Sequence, residues 1–134
     1  MGLTVLIVST DAIIGALLAL HAEVHGYRAV VAEDDETPNT AVARCSPRII
    51  LVDLDRSDAF SPTFVAQQRA AGRCVIAFSP KRLAAEVRAQ AEGFSLQFFA
   101  MPVDVTGFKT MLDDAATSVR GSINDKAEGP EVRA

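Results

Sequence analysis

Apolar and polar positions follow two rhythms along this chain. Apolar runs of five or six residues, the length of buried strands, alternate with stretches where apolar side chains recur every three or four positions, the helical spacing. The cycle occurs five times. Leu3 to Val8 reads as the first strand. Asp11 to His25 reads as the first helix, with Asp11 near its N-cap and Gly26 just past its end. Tyr27 to Ala32 is the second strand, its apolar run interrupted by Arg28. The acidic run Glu33-Asp34-Asp35-Glu36 reads as a solvated loop, and Pro38 suits the first turn of a helix ending near Cys45. Ile49 to Asp53, after the turn Ser46-Pro47-Arg48, is a third strand, apolar on both faces and so expected in the centre of a sheet. A polar loop from Asp55 to Asp58 leads to a helix opened by Pro62 and running to about Ala71. Cys74 to Phe78 is the fourth strand, and Ser79-Pro80 supplies the expected cap and first turn of a helix reaching Gly93. Leu96 to Ala100 is the fifth strand. Asp104 then caps a last helix that aligns Val105, Phe108, Leu112, Ala115 and Val119 on one face.

Strict alternation with short connections predicts an α/β fold: a doubly wound, five-stranded parallel sheet flanked by five helices. The pattern does not order the strands. A length of 134 residues suits one domain with one core. We place that domain at 1–120 and read 121–134, polar from Gly121 onward, as a C-terminal tail or the start of a linker.

Composition narrows the function. Hydrophobic residues make up 49% of the chain and mean hydropathy is +0.21, enough to bury a sizeable core. The net charge of −4 argues against nucleic-acid binding, which needs a basic face. The first apolar stretch is cut by Ser9, Thr10 and Asp11, so no membrane segment or export signal is read, and a cytoplasmic location is expected. Cys45 and Cys74 have neither metal nor redox spacing and read as reduced, buried small hydrophobes.

Chemistry concentrates at Asp53. An acid at the C-terminal tip of a buried parallel strand faces the crevice where open α/β sheets bind ligands. Such a site ordinarily recruits further acids and a cation, yet the first strand offers Ser9 and Thr10 there. No Ser-His-Asp order, Gly-rich phosphate loop or catalytic carboxylate pair is present, so no enzyme activity and no cofactor are expected. His21 and His25 have metal-ligand spacing, but nothing completes a ligand set. They read as surface histidines, with no metal.

Asp53 after Ile-Ile-Leu-Val, Ser79 after Val-Ile-Ala-Phe, and the Met101-Pro102 turn, in this order of elements, resemble the bacterial response-regulator receiver domain over roughly residues 3–120. The resemblance implies a flavodoxin-like fold with strand order 2-1-3-4-5. It places Asp53 at the phosphoacceptor position, Ser79 and Phe98 at the two switch positions, and Pro102 after the site lysine. It also puts Ser9 and Thr10 where the family has a magnesium-holding acidic pair, and Met101 where it has the lysine. Phosphoryl transfer to a carboxylate needs a divalent cation and fixed positive charge, and magnesium wants hard anionic oxygens. Two hydroxyls and a thioether supply neither. The expectation is an atypical receiver, a pseudo-receiver, in which Ser9, Thr10 and Ser79 satisfy Asp53 by hydrogen bonds. Its function would be phosphorylation-independent protein interaction in bacterial signal transduction. A phospho-receiver with a degraded metal site, and a small-ligand sensor using the strand-tip crevice, are the alternatives.

Two surfaces are candidates for a protein partner or for self-association as a homodimer. The first helix carries no charged side chain from Ala12 to Leu20. Ile13, Leu17, Leu20 and Val24 are expected to cover the sheet, which leaves Ile14 and Leu18 either under the last helix or in an exposed apolar patch. The family resemblance adds the surface of the fourth helix, fifth strand and fifth helix, where Lys81, Arg82, Gln97, Lys109 and Asp113 are expected.

Overall fold

The structure, a computed structural model, describes residues 3–56, 58–101 and 104–133, with side chains described as far as Val119. In chain order the elements are β1 (Thr4–Val8), α1 (Ala12–Val24), β2 (Arg28–Val31), α2 (Pro38–Cys45), β3 (Ile49–Asp53), α3 (Pro62–Ala70), β4 (Cys74–Phe78), α4 (Ala84–Gly93), β5 (Gln97–Phe98) and α5 (Val105–Arg133). The five strands form one parallel sheet in the order 2-1-3-4-5, as expected.

Apolar clusters cover both faces of the sheet. On one, Leu6, Ile50, Val52 and Val75 pack with Ala41 and Val42 of α2, Phe64 and Val65 of α3, and Val87 and Ala91 of α4. On the other, Val5, Ile7, Leu51, Ile76 and Phe78 pack with Leu18 and Ala22 of α1 and Phe108, Leu112 and Ala115 of α5. Alternate residues of each strand serve opposite clusters, the period-two geometry of a strand buried on both sides. Every residue of β3 is buried, which fits its central place.

Most helix boundaries follow from capping. The Asp11 carboxylate accepts the Ile13 and Ile14 amides, Thr37 Oγ1 accepts the Thr40 amide, and Ser61 Oγ accepts the Phe64 amide. Gly26 takes the left-handed conformation beyond α1 (φ 93°). At α4 the expectation needs correction, because the helix starts at Ala84. Ser79 is buried at the end of β4 and turns its hydroxyl onto the amides of Lys81 and Arg82, closing a loop in place of a helical turn. The Glu86 carboxylate instead accepts the Leu83 amide at the true N-terminus. Helical backbone continues in α5 through the polar stretch 121–133.

The packing of α1 inverts the expectation. Gly15, Leu18 and Ala22 face the sheet. Gly15 lets the helix lie close, since a Cβ there would meet Val31 Cγ1 at 3.2 Å and Ser9 Cβ at 3.6 Å. The large side chains expected inside, Ile13, Leu17, Leu20 and Val24, point outward and are 79%, 40%, 58% and 69% exposed. Leu18, considered for an interaction surface, is 0% exposed, and Ile14 is half-buried against the same cluster. Gly15 and Ala22 let the helix lie close with Leu18 between them, and the four aliphatic side chains expected inside take the outer side.

Candidate functional site

The sheet register gathers the functional candidates at one edge. Val8 pairs with Val52 and Asp53 with Phe78, so β1, β3 and β4 end side by side. The segments after them bring Ser9-Thr10-Asp11, Leu54-Asp55 and Ser79 to Arg82 around the tip of β3.

Asp53 is fully buried, and both its carboxylate oxygens accept hydrogen bonds. Thr10 donates twice to Oδ2, from its backbone N–H at 3.1 Å and its hydroxyl at 2.7 Å. The Asp55 N–H donates to Oδ1 at 2.9 Å. Thr10 therefore makes the hydrogen bond expected of it, whereas Ser9 and Ser79 do not. The Ser9 hydroxyl is spent on the Asp11 backbone, donating to the carbonyl at 3.0 Å and accepting the amide at 3.1 Å. Ser79 Oγ accepts two amides of its own loop. Short-range hydroxyl–backbone bonds outcompeted the long-range ones at both serines.

A second layer of charge closes over the crevice. Arg82 reaches from the β4–α4 loop to Asp55, with Nη2 at 2.9 Å and Nε at 3.2 Å from Oδ1. Arg56 holds Asp58 through two bonds of 2.9 and 3.1 Å and donates to the Glu36 carbonyl at 3.3 Å. The Arg56 guanidinium lowers the Asp58 carboxyl below its usual range. Glu36 takes a two-pronged contact from Arg44 at 2.7 and 2.8 Å, and this hydrogen-bonded pairing brings its carboxyl down from 4.5 to about 2. The sequence suggests for Arg82 only a place on the outer surface of the fourth helix. Its tie to Asp55 joins two loops distant in sequence, and no local pattern signals it.

These groups do not suit the divalent cation that a receiver phosphoacceptor implies. Asp11 caps α1, Asp55 is paired with Arg82, and Ser9 and Thr10 bring no carboxylate. Among the described residues no three His, Cys, Asp or Glu side chains are grouped to hold a metal. Met101, expected at the lysine position, packs half-buried against the α1/α5 cluster, where a thioether belongs and an ammonium does not. Pro102 lies outside the described residues.

The fifth strand is shorter than the expected Leu96 to Ala100, and Phe98 on β5 and Phe99 just past it split between faces. Phe98, expected at a switch position, packs toward the α2/α3/α4 cluster, with the Arg88 guanidinium 6.0 Å from its ring centroid. Phe99 stacks on Phe78 at 5.2 Å and meets Phe108 edge-on at 5.4 Å. Grooves of about 390 and 480 Å³ run between β5 and α5, lined on the α5 side by Gly107, Thr110, Met111 and Asp114. Gln97 and Lys81 are exposed as expected, whereas Lys109 and Asp113 turn the other way. Lys109 Nζ binds Asp113 at 2.6 Å, and Asp113 also accepts the Tyr27 hydroxyl at 2.5 Å, on the side of α5 next to α1. His21 packs edge-on to Phe108 at 6.1 Å, and His25 caps the end of α1, so both histidines are half-buried parts of this contact. Cys45 and Cys74 are free and half-buried, and burial pushes both thiols up.

No family model and no curated protein matches the sequence. Solved structures do. Over 96% of its length the chain superposes on NtrX from Brucella abortus with a TM-score of 0.76 and 16% identity, spanning 30% of that longer chain. It covers 99% of the signal receiver domain of a LuxO repressor protein from Vibrio parahaemolyticus (TM-score 0.69, 20% identity, 96% of this chain). It likewise covers 99% of the receiver domain of an HD domain-containing protein from Pseudomonas fluorescens (TM-score 0.72, 15% identity, 90% of this chain). The fold is that of the response-regulator receiver domains. Within this receiver fold Asp53 occupies the tip of the central strand, Ser79 the end of the next, and Phe98 the edge strand. No described helix is long and apolar enough to cross a membrane.

Proposed function

We propose that this chain is a receiver-fold interaction module in bacterial signal transduction, cytoplasmic and non-enzymatic, that works without phosphorylation of Asp53. The observation that carries the reading is the state of the Asp53 carboxylate. It is fully buried, with Oδ2 held twice by Thr10 and Oδ1 held by the Asp55 amide. A nucleophilic carboxylate needs an open line of approach for the phosphoryl group, a cation to gather the developing charge, and a fixed ammonium beside it. Thr10 already occupies Oδ2 with two donated bonds, and the neighbouring acids are committed to a helix cap and to Arg82. Asp53 then serves as a structural acid that ties the β1–α1 connection to the tip of β3. Output comes through a surface held in one state.

The test is chemical. Incubation with acetyl phosphate and magnesium, followed by intact-mass measurement, is expected to leave the chain without an added phosphoryl group. A phosphoryl adduct lost in an Asp53→Asn variant, or magnesium-dependent beryllofluoride binding, would restore the phospho-receiver reading.

A further inference from the structure

Four of the six large apolar side chains that the described residues leave exposed lie on one face of α1. Ile13, Leu17, Leu20 and Val24 are separated by four, three and four residues, the spacing of a two-helix heptad seam and not the broader stripe of a helix lying on a sheet. The side of α1 that meets the sheet is already filled by Gly15, Leu18 and Ala22, so the seam stays uncovered among the described residues.

We infer that this seam docks against α1 of a second copy of the chain, antiparallel, about a two-fold axis midway between Leu17 and Leu20. The inference rests on the interaction-module reading and names its surface. Three properties of the seam favour a second copy. It is self-complementary: an antiparallel two-fold sets Ile13 against Val24 and Leu17 against Leu20 of the other copy, so each layer pairs like-sized aliphatic groups, as an isologous contact requires. It is free of like-charge opposition, because Glu23 is the only acid or base among Lys, Arg, Asp and Glu between Ala12 and Val24, and the antiparallel arrangement puts the two Glu23 residues at opposite ends. Ala12 and Ala16, exposed beside it, leave room for close helix approach. Its area is sufficient: the four side chains expose roughly 400 Å² in one copy, at the scale where an apolar patch marks a contact. The four positions of both copies together offer roughly 800 Å², and the exposed Ala12 and Ala16 beside them extend the contact toward the roughly 1,000 Å² expected of a specific interface.

Sedimentation velocity of the full chain over a range of concentrations tests this. The wild type is expected to move from 14.2 kDa to twice that mass as concentration rises. Leu17→Lys and Leu20→Glu are each expected to stay at 14.2 kDa with unchanged circular dichroism, since both positions are outside the core. Mixing Leu17→Lys with Leu20→Glu is expected to restore the dimer, because residue 17 faces residue 20 across the axis. Mixing Leu17→Lys with Leu17→Glu is not. A wild type that stays monomeric at the highest concentration overturns the proposal and hands the seam to a different protein. Variants that remain dimeric, or a rescue pattern reversed between the two mixtures, overturn it as well. None of these results bears on phosphorylation, which is decided by the mass of Asp53 after acetyl phosphate.

Discussion

The tip of β3 meets the connection that leads into α1 through Thr10, yet this tip and the outer face of α1 carry opposite chemistry. At the tip, polar groups are buried and paired: a carboxylate with three donors, two serine hydroxyls turned onto backbone, and Arg82 bound to Asp55. On α1, apolar groups are exposed and unpaired. A site for reversible chemistry leaves polar capacity free, whereas a docking surface leaves apolar area free. By that measure the crevice is closed and the helix is open. The lesson is that the place of an acid at a strand tip says little until the donors around its carboxylate are known.

The largest expected effect distinguishes the two sides of α1 itself. Leu18→Ala removes a fully buried side chain and is expected to cost about 2–5 kcal/mol in urea unfolding. Leu20→Ala, measured where the chain is monomeric, is expected to change stability by less than about 0.5 kcal/mol. Equal costs would mean that α1 is rotated relative to the arrangement described. At the tip, Asp53→Ala strands the Thr10 and Asp55 donors and is expected to cost about 1–3 kcal/mol. A stabilising outcome at Asp53 would show a strained acid kept for chemistry, and would reopen the phosphorylation question. Thr10→Val, which deletes the shorter of the two Thr10 bonds, is expected to cost about 1 kcal/mol.

Smaller effects concern the charges around the crevice. Pairing with Arg44 holds the Glu36 carboxyl near 2, below its ordinary 4.5, so the pair favours the folded state above pH 4.5 and that contribution is lost as pH falls toward 2. Glu36→Gln is expected to flatten the acid limb of a plot of melting temperature against pH, with little change at pH 7 beyond the loss of one exposed pair. Arg82→Ala is expected to fall within about 0–1 kcal/mol, the range of partly exposed ion pairs. A larger loss would show that the Arg82–Asp55 tie holds the crevice shut.

Much of the fold was legible because its signals are local. Continuous apolar runs marked all five strands, and helix starts were marked by Asp11 and Asp104, whose carboxylates accept amides of the first turn, and by Pro38 and Pro62, whose fixed φ suits that turn. Ser79-Pro80 misled because the same hydroxyl can close a turn as readily as it can cap a helix, and burial at the end of β4 selected the turn. Asp53 was legible from its place after a buried run. Thr10 was legible as one of three candidate hydroxyls, but its choice over Ser9 and Ser79 was not, since the three differ only in which backbone groups lie near them, and the Asp55 amide carried no signal.

The sequence by itself determined the order of strands and helices, the parallel layered class, the position of Asp53 at a strand tip, and the absence of a carboxylate pair beside it. These follow from periodicity and residue identity, which do not depend on distant contacts. Only the tertiary structure decided which hydroxyl serves Asp53, where Arg82 goes, and which face of α1 meets the sheet. The last turned on Gly15: one missing Cβ against Val31 allowed the face of Gly15, Leu18 and Ala22 to sit on the sheet, and Ile13, Leu17, Leu20 and Val24 were left facing out.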